Sequence, residues 1–280
     1  MNLVTWGASP WGQPVILHAA WPLLWLSLAA GLAFALAHAL WVRRRPHGLP
    51  GTAVSPEAAA QVPARILRHT LPARLFHWVM AAAMLTLLAT AFLPKVGLRF
   101  DWVGGHVLAG MVLVAAIVFH IVHAVCCMDF WAIWPTPADW AEVRGLVGGL
   151  PPRPGKYPLG NKLYHLGIVV LGLTMAATGV ALLSRVRAPL LPRDPYRFFT
   201  DGGWGVVYAL HGLAGLSLVA LVIIHVYFAL RPEKRPITLA MVTGTMGRDY
   251  FLAHHDPARW NGGVRPGQYC LTETATHDGI

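Results

Sequence analysis

The sequence predicts an all-α integral membrane protein, in which a four-helix bundle is joined by one extra N-terminal transmembrane helix. The first observation is composition: 56% of the 280 residues are hydrophobic, 12% are charged, and the mean hydropathy is +0.52. A soluble domain usually has about 25% charged residues. The second observation is that the charges are missing from five long runs, which indicates that the solvent of these runs is lipid.

Each of the five runs is long enough to cross the hydrocarbon core as a helix, which takes roughly 17–25 residues. Asp, Glu, Lys and Arg are absent from all of them. Strands are not expected, because the spans of a membrane barrel are shorter and alternate in polarity. The first run is too long for a signal peptide and follows an uncharged segment, so we expect a retained helix. The runs cover residues 15–42, 75–93, 102–125, 163–184 and 206–230.

The spans divide the chain into four regions. Residues 1–45 contain the N-terminal transmembrane helix, and residues 46–66, rich in Pro, Ala and Gly, form a linker. Residues 67–235 form the bundle, and residues 236–280 form a tail. A further helix at the membrane surface is expected at about 138–147, where it either roofs a binding site or anchors the interface through nearby tryptophans.

The loops predict the orientation of the chain. Residues 1–14 carry no charge, whereas three arginines at 43–45 follow the first span. Because positive residues accumulate on the cytoplasmic side, we expect the N-terminus outside and, by alternation, the C-terminal tail in the cytoplasm. The four arginines of loop 185–205 run against this bias. The net charge of +10 fits contact with anionic membrane lipid, and no feature indicates nucleic-acid binding.

The cysteines exclude several kinds of metal centre. Cys126, Cys127 and Cys270 all fall in segments predicted to be cytoplasmic, so free thiols are expected. The sequence contains neither C-x-x-C-H nor C-x-x-C. Covalent haem, an iron–sulfur cluster or a structural zinc within this chain is therefore not expected.

Histidines are the most informative residues, and many of the fourteen lie in or beside an apolar span. His211 and His225 in the last span are 14 residues apart, which is about 21 Å along a helix and returns to within roughly 40° of the same direction. This placement, near opposite membrane surfaces, suits two stacked haems. Gly212, Ala214 and Gly215 leave clearance for a flat macrocycle. The alternative is a packing face of small residues whose histidines are satisfied by neighbouring helices.

Each haem needs a second axial ligand at the same membrane depth. His106 begins the third span and is level with His211. Two residues are level with His225, namely His77 and His120. His120 lies 14 residues after His106, so the third span repeats the spacing of the last one. Helix geometry therefore leaves both His77 and His120 open as the fourth ligand.

Six short motifs follow one another between about residues 68 and 260. They are Arg74-Leu-Phe-His77-Trp78, His106-Val-Leu-Ala-Gly110, Lys156-Tyr-Pro-Leu-Gly-Asn-Lys162, Thr178-Gly179, the His211 and His225 pair, and His254-His255-Asp-Pro-Ala-Arg259-Trp260. In this order they resemble the motifs of the cytochrome b (gamma) subunit of membrane-bound respiratory formate dehydrogenases. The resemblance implies a protein of the bacterial inner (cytoplasmic) membrane with two haem b groups.

The resemblance also implies how the histidines pair. In that family the first-helix histidine and the second histidine of the last helix hold one haem. Carried over, His77 pairs with His225, and His106 pairs with His211. His120 is then a neighbour of the cytoplasmic haem and not a ligand.

A quinone site on the cytoplasmic side is a further implication of the resemblance. It places the site in the loop that contains Tyr157, Gly160 and Asn161. A glycine lets the backbone approach the ring, and a side-chain amide can bond a carbonyl. Pro158 stands where the family has Asn, and Asn161 stands where it has Gln, so the contacts with the quinone are expected to differ.

The function implied is that of an electron-transfer and quinone-reducing subunit with no dehydrogenase site of its own. Its implied partners are an iron–sulfur subunit, which delivers electrons from outside, and a molybdenum or tungsten catalytic subunit. Two alternatives remain: a related dihaem cytochrome b of another dehydrogenase or a hydrogenase, and a haem-free transporter or scaffold. A transporter would be expected to show broken helices or buried charges, and the sequence predicts neither. The N-terminal span, absent from shorter family members, is expected to pack against the bundle or to anchor a partner.

Overall fold

The computed structural model describes residues 2–44, 62–148, 153–186, 193–194, 196–257 and 259–260. Most of the predicted linker (46–61), Cys270 and the end of the predicted tail (261–280) lie outside these residues. Within the described part, the chain forms eight α-helices and two small two-stranded sheets. The helical membrane fold that the sequence predicts is confirmed, and the two small sheets are an addition that was not predicted.

Five of the described helices are long and apolar enough to cross a membrane, as the sequence predicts. They are α1 (Leu23–Arg43), α2 (Leu71–Phe92), α3 (Val103–Cys127), α5 (Leu159–Leu182) and α6 (Asp201–Leu230). The shorter helices are α4 (Pro137–Gly148), α7 (Arg235–Thr243) and α8 (Arg248–His254). Helix α4 confirms the helix expected at about 138–147. The strands are β1 (Val4–Ala8), β2 (Pro14–Ala19), β3 (Arg65–Leu67) and β4 (Thr245–Gly247).

Large apolar side chains on the long helices face outward. Leu85 on α2, Val118 on α3 and Val170 on α5 are each 57% exposed. Contiguous apolar surface of this extent is unfavourable in water but is the normal exterior of a helix in lipid. The exposure pattern therefore agrees with the charge-free runs in identifying the membrane-spanning helices.

The first predicted span, 15–42, is helical only in its second part. Residues Pro14–Ala19 form β2, which pairs antiparallel with β1, and the helix begins at Leu23. Gly12 has a φ of 77°, the left-handed conformation that suits glycine in the connecting turn. Pro22 is the residue immediately before the helix, and it has no amide hydrogen to donate. The prediction was wrong for these residues because an apolar run does not by itself distinguish strand from helix.

The described residues belong to two compact units, and the first comprises residues 1–45, 79–114 and 167–230. Its apolar core lies where β2 and α1 pack on α6, and includes Ala19, Leu23, Leu24, Leu216 and Val219. Two glycines make this packing possible. A Cβ on Gly205 would overlap the carbonyl oxygen of Ile16, and one on Gly31 would lie 3.1 Å from Ile223. The N-terminal helix, predicted either to pack against the bundle or to anchor a partner, thus packs on α6.

The second unit comprises residues 46–78, 115–166 and 231–280. Strands β3 and β4 pair antiparallel, and Ile66, Met246 and Phe251 form its core. Gly244, which ends α7 with a φ of 84°, accepts hydrogen bonds at its carbonyl from the amides of Arg68 (2.8 Å) and His69 (3.0 Å). The segment before α2 is therefore fixed to the segment after α7.

Candidate haem-ligand and quinone sites

His106 on α3 and His211 on α6 lie together in the first unit. Their ring centroids are 6.3 Å apart, and the ring planes are inclined by 67°. A metal ion holds an imidazole nitrogen at about 2.0–2.1 Å, so two imidazoles on opposite sides of one metal have centroids roughly 6 Å apart once the ring radii are added. The structure thus brings together the pair that the sequence predicts, at a separation that fits an iron between them.

A threonine orients each of these histidines. Thr90 Oγ1 lies 2.8 Å from Nδ1 of His106, and Thr178 Oγ1 lies 2.8 Å from Nδ1 of His211. Both hydroxyls donate to the carbonyl four residues earlier, at 2.7 and 2.6 Å. Because a hydroxyl has one proton to donate, its oxygen accepts the Nδ1–H of the histidine. The unprotonated Nε2 is therefore the nitrogen that can bind iron.

Thr90 was missed by the sequence analysis, and Thr178 was noted only as part of a motif. A signal for Thr90 was present, because Thr86 and Thr90 are the only hydroxyl-bearing residues of the run 75–93. Thr90 also lies at the end of that run that is predicted to be level with His106. Comparing the depths of polar residues in neighbouring spans would have identified it.

Small residues leave space beside the histidine pair. A Cβ on Gly179 would lie 3.4 Å from Cε1 of His211, and one on Gly105 would lie 3.8 Å from Cγ2 of Thr90. Gly212 serves a different purpose from the one predicted. A Cβ there would lie 2.8 Å from Cβ of Ala19, so this glycine makes room for β2 and not for a macrocycle.

The candidates for the second haem lie in different environments. His225 is on α6 in the first unit, whereas His77 is on α2 in the second unit with its ring edge-on to Trp78 at 5.3 Å. The rival residue His120, also in the second unit, stacks face to face on Phe76 with centroids 4.2 Å apart and planes inclined by 8°. The ring of His120 therefore has a packing contact of the kind that half-buried aromatic rings commonly make.

The loop predicted to contact a quinone leads into α5. Gly160 and Asn161 are exposed in the first turn of the helix, and a Cβ on Gly160 would meet nothing within 4 Å among the described residues. Tyr157 is half-buried, with the Arg68 guanidinium 5.7 Å and the Lys156 ammonium 5.5 Å from its ring centroid. Gly160 therefore lies at open surface among the described residues, and the quinone site stays a prediction.

A buried ion cluster fixes this loop to α4. Asp139 is fully buried and accepts hydrogen bonds from Lys162 Nζ at 2.7 Å and Arg259 Nη2 at 2.9 Å. Glu142, one turn later on α4, accepts from the amide of Leu159 at 3.2 Å and from Arg259 Nη1 at 3.3 Å. Two carboxylates therefore join α4, the start of α5 and the segment after α8.

Burial by itself would raise the pKa of Asp139. Hydrogen bonds from Lys162 and Thr136, together with the charge of Lys162, outweigh burial and lower that pKa to about 2. Asp139 is thus a charged anchor at neutral pH. The sequence analysis missed this role, although two of only twelve acidic residues lie three positions apart here.

Comparisons with known proteins cover the part of the chain that contains this site. A family model described as prokaryotic cytochrome b561 matches residues 68–244. The cytochrome b556(fdo) subunits of formate dehydrogenase from Escherichia coli K12, O6:H1 (CFT073) and O157:H7 are each 25% identical over 214 residues, which covers 71% of this chain and 93% of each relative. The family match includes the histidine pair, both candidates for the fourth ligand, and the loop before α5.

Proposed function

The chain belongs to the prokaryotic cytochrome b561 family, and on that premise we propose that it is a dihaem subunit that anchors a formate dehydrogenase and passes electrons to quinone. Family membership makes it a multi-pass bacterial membrane protein with haem b as its cofactor. The relatives are formate dehydrogenase subunits aligned over 93% of their length, which supports this choice of partner enzyme.

The observation that carries the proposal is the pair of histidines with a fixed tautomer. A haem b held by two histidines would supply single-electron transfer and would leave no iron position open to oxygen. His106 and His211 supply the two rings, and Thr90 and Thr178 hold Nδ1 protonated so that Nε2 is available. A pair that is already oriented needs little rearrangement to bind iron.

The second haem is proposed to be held by His77 and His225. The motif Arg74-Leu-Phe-His77-Trp78 supports His77, and the stacking of His120 on Phe76 gives that rival a packing role. The pairing places one haem towards each membrane surface, with His106 and His211 on the outer side.

Quinone reduction is proposed at the loop formed by Tyr157, Gly160 and Asn161. The open space beside Gly160 supports entry of a planar ring, and the side-chain amide of Asn161 can donate to a carbonyl. Electrons would come from an iron–sulfur subunit on the outer side, and a molybdenum or tungsten subunit would oxidise formate. Protons for the quinone would come from the cytoplasm.

The haem content of the purified chain tests this proposal. We expect two haem b per chain in reduced-minus-oxidised spectra and pyridine haemochrome assays, and one haem in His211→Ala. His18→Ala is the control, because its ring bonds the neighbouring Ala19 carbonyl in β2, and it should keep both haems. A chain without haem would contradict the proposal. If formate-dependent activity co-purifies with the chain, the partner enzyme is a formate dehydrogenase and not another dehydrogenase or a hydrogenase.

A further inference from the structure

Arg68 is a buried cation in the second unit, just after β3. Its exposed fraction is 2%. The guanidinium lies over the rings of Tyr157, at 5.7 Å from the centroid, and Trp260, at 5.5 Å. Nη2 donates to the carbonyl oxygen of Lys156 at 3.3 Å. The side chain is therefore held in place by two aromatic rings and one hydrogen bond.

The remaining donors of Arg68 are not used. Nε and Nη1 are buried and have no hydrogen-bond partner within the described part of the chain. No carboxylate of the described residues lies within 4.0 Å of this guanidinium. Native structures rarely leave buried donors unsatisfied, and a buried charge without a counter-ion is strongly unfavourable. Arg68 therefore has two buried donors with which it can bind an anion.

The surroundings of Arg68 are also cationic. Burial, followed by the charges of Arg68 and Lys156, lowers the pKa of His69 to about 3. Burial lowers the pKa of Lys234, and the charge of Arg68 adds to this effect. Glu233 acts on Lys234 but pairs with Arg231. Arg68, Lys156 and Lys234 therefore bring positive charge together, while His69 is neutral near pH 7 and Glu233 partly offsets the charge of Lys234.

His255, next to Trp260, also has a buried polar atom without a hydrogen-bond partner among the described residues. Its ring lies edge-on to Trp260 at 4.9 Å, and its Nδ1 donates to the carbonyl of Gly155 at 2.8 Å. Nε2 is buried and lacks a hydrogen-bond partner among the residues described. The residue is 2% exposed. Because Nδ1 carries the proton, Nε2 is an acceptor and does not bind an oxyanion, so among the described residues the unused donors beside Trp260 are those of Arg68.

We propose that Arg68 is the centre of a buried oxyanion site, in which Nε and Nη1 bind a carboxylate or a phosphate group. Guanidinium groups form strong charge-assisted hydrogen bonds with both. If the group is a carboxylate, it is a propionate of haem b, and this case rests on the proposed function. If it is a phosphate, it is the headgroup of a membrane phospholipid, and this case holds without the proposed function.

The test compares Arg68→Gln with Arg65→Gln in the purified full chain. Arg65 is a matched control, because it is an exposed arginine three residues earlier that bonds Thr245 Oγ1. Resonance Raman spectra report the propionate bands, and native mass spectrometry reports bound phospholipid. If a propionate occupies the site, the propionate bands shift only in Arg68→Gln. If a phospholipid occupies it, its retention falls roughly tenfold or more in that variant, as the loss of charge-assisted hydrogen bonds predicts.

Arg68→Gln spectra and lipid retention that both match Arg65→Gln would overturn the proposal. If Arg68→Gln does not fold, Arg68→Lys replaces it, because the charge is kept while the planar donor array is lost. Arg68→Lys should show the same shift of the propionate bands or the same fall in phospholipid retention, to a smaller degree. Propionate bands and phospholipid retention that both match Arg65→Gln would again reject the site. A chain that contains no haem would end the proposed function, and lipid retention alone would then decide on the oxyanion site.

Discussion

At the scale of single residues, the threonines decide which nitrogen each histidine offers to a metal. Thr90 and Thr178 are on different helices, yet both bond an imidazole Nδ1 at 2.8 Å and a carbonyl one turn back. A partner on Nδ1 fixes the tautomer and makes the ring a stronger ligand. The arrangement is the same for both histidines, so an iron held by the pair would have two equally strengthened ligands.

Thr178→Val should make His211 a weaker iron ligand, while the valine keeps the shape of the threonine side chain. Without the hydrogen bond at Nδ1, the ring donates less charge to ferric iron, so the midpoint potential of that haem should rise. A rise of roughly 20–60 mV corresponds to one hydrogen bond. Spectroscopic redox titration measures it. Thr174→Val is the control, since among the described residues its hydroxyl bonds only the Val170 carbonyl, at 2.8 Å. A rise of the same size in that variant would contradict the role of Thr178.

His77→Ala should lose one haem, whereas His120→Ala should keep both. The expectation follows from the motif around His77 and from the stacking of His120 on Phe76. Haem counts on the two purified variants decide the matter. Loss of a haem only in His120→Ala would assign the fourth ligand to that residue.

At the scale of elements, α4 is held by charge and not by apolar packing alone. Asp139 and Glu142 bind Lys162, the amide of Leu159 and Arg259. These contacts set the position at which α5 begins and so the place of the exposed Gly160 and Asn161. The position of the proposed quinone loop therefore depends on this ion cluster.

Asp139→Asn should destabilise the chain by about 3–5 kcal/mol, because Lys162 is left buried without its counter-charge. The folded pKa of Asp139, about 2, is below its ordinary value of 3.8, so the stabilisation is complete above 3.8 and is lost as pH falls towards 2. The difference in melting temperature between wild type and variant should therefore shrink on acidification. Asp129→Asn, at an exposed site in the same unit, is the control. A constant difference across that pH range would argue against the cluster.

At the scale of the whole molecule, the chain's orientation in the membrane determines the direction of electron transfer. The predicted arrangement has the N-terminus outside and α3 ending in the cytoplasm. Cys126, at that end of α3, is an exposed thiol. With Cys127→Ser and Cys270→Ser in place, a membrane-impermeant maleimide should label Cys126 in inverted vesicles and not in intact spheroplasts.

A cysteine introduced on the opposite side of the membrane gives the labelling experiment a second, independent test. Trp11 lies in the connection between β1 and β2 and is 78% exposed. In a chain with all three natural cysteines replaced by serine, Trp11→Cys should be labelled in intact spheroplasts. The reverse pattern at both positions would invert the proposed topology and move the quinone loop to the outside.

The sequence by itself determined the membrane class, the five spans and the spacing of the histidines. These properties follow from the order of the residues alone. The length of a charge-free run shows whether it can cross the membrane, and the regular rise and turn of a helix give the depth and direction of each residue. The boundary at 14–22 was not determined in this way, because Val15 and Ile16 are as apolar in a strand as in a helix.

Only the tertiary structure decided which polar groups meet. Thr178 bonds a histidine 33 positions away, Asp139 bonds an arginine 120 positions away, and Arg68 bonds a carbonyl 88 positions away. No periodicity in the sequence links such residues, because their approach depends on how whole helices pack. Hydrogen bonds act over about 3 Å, so the polar partners of the residues at each candidate site could be identified only when that packing was known.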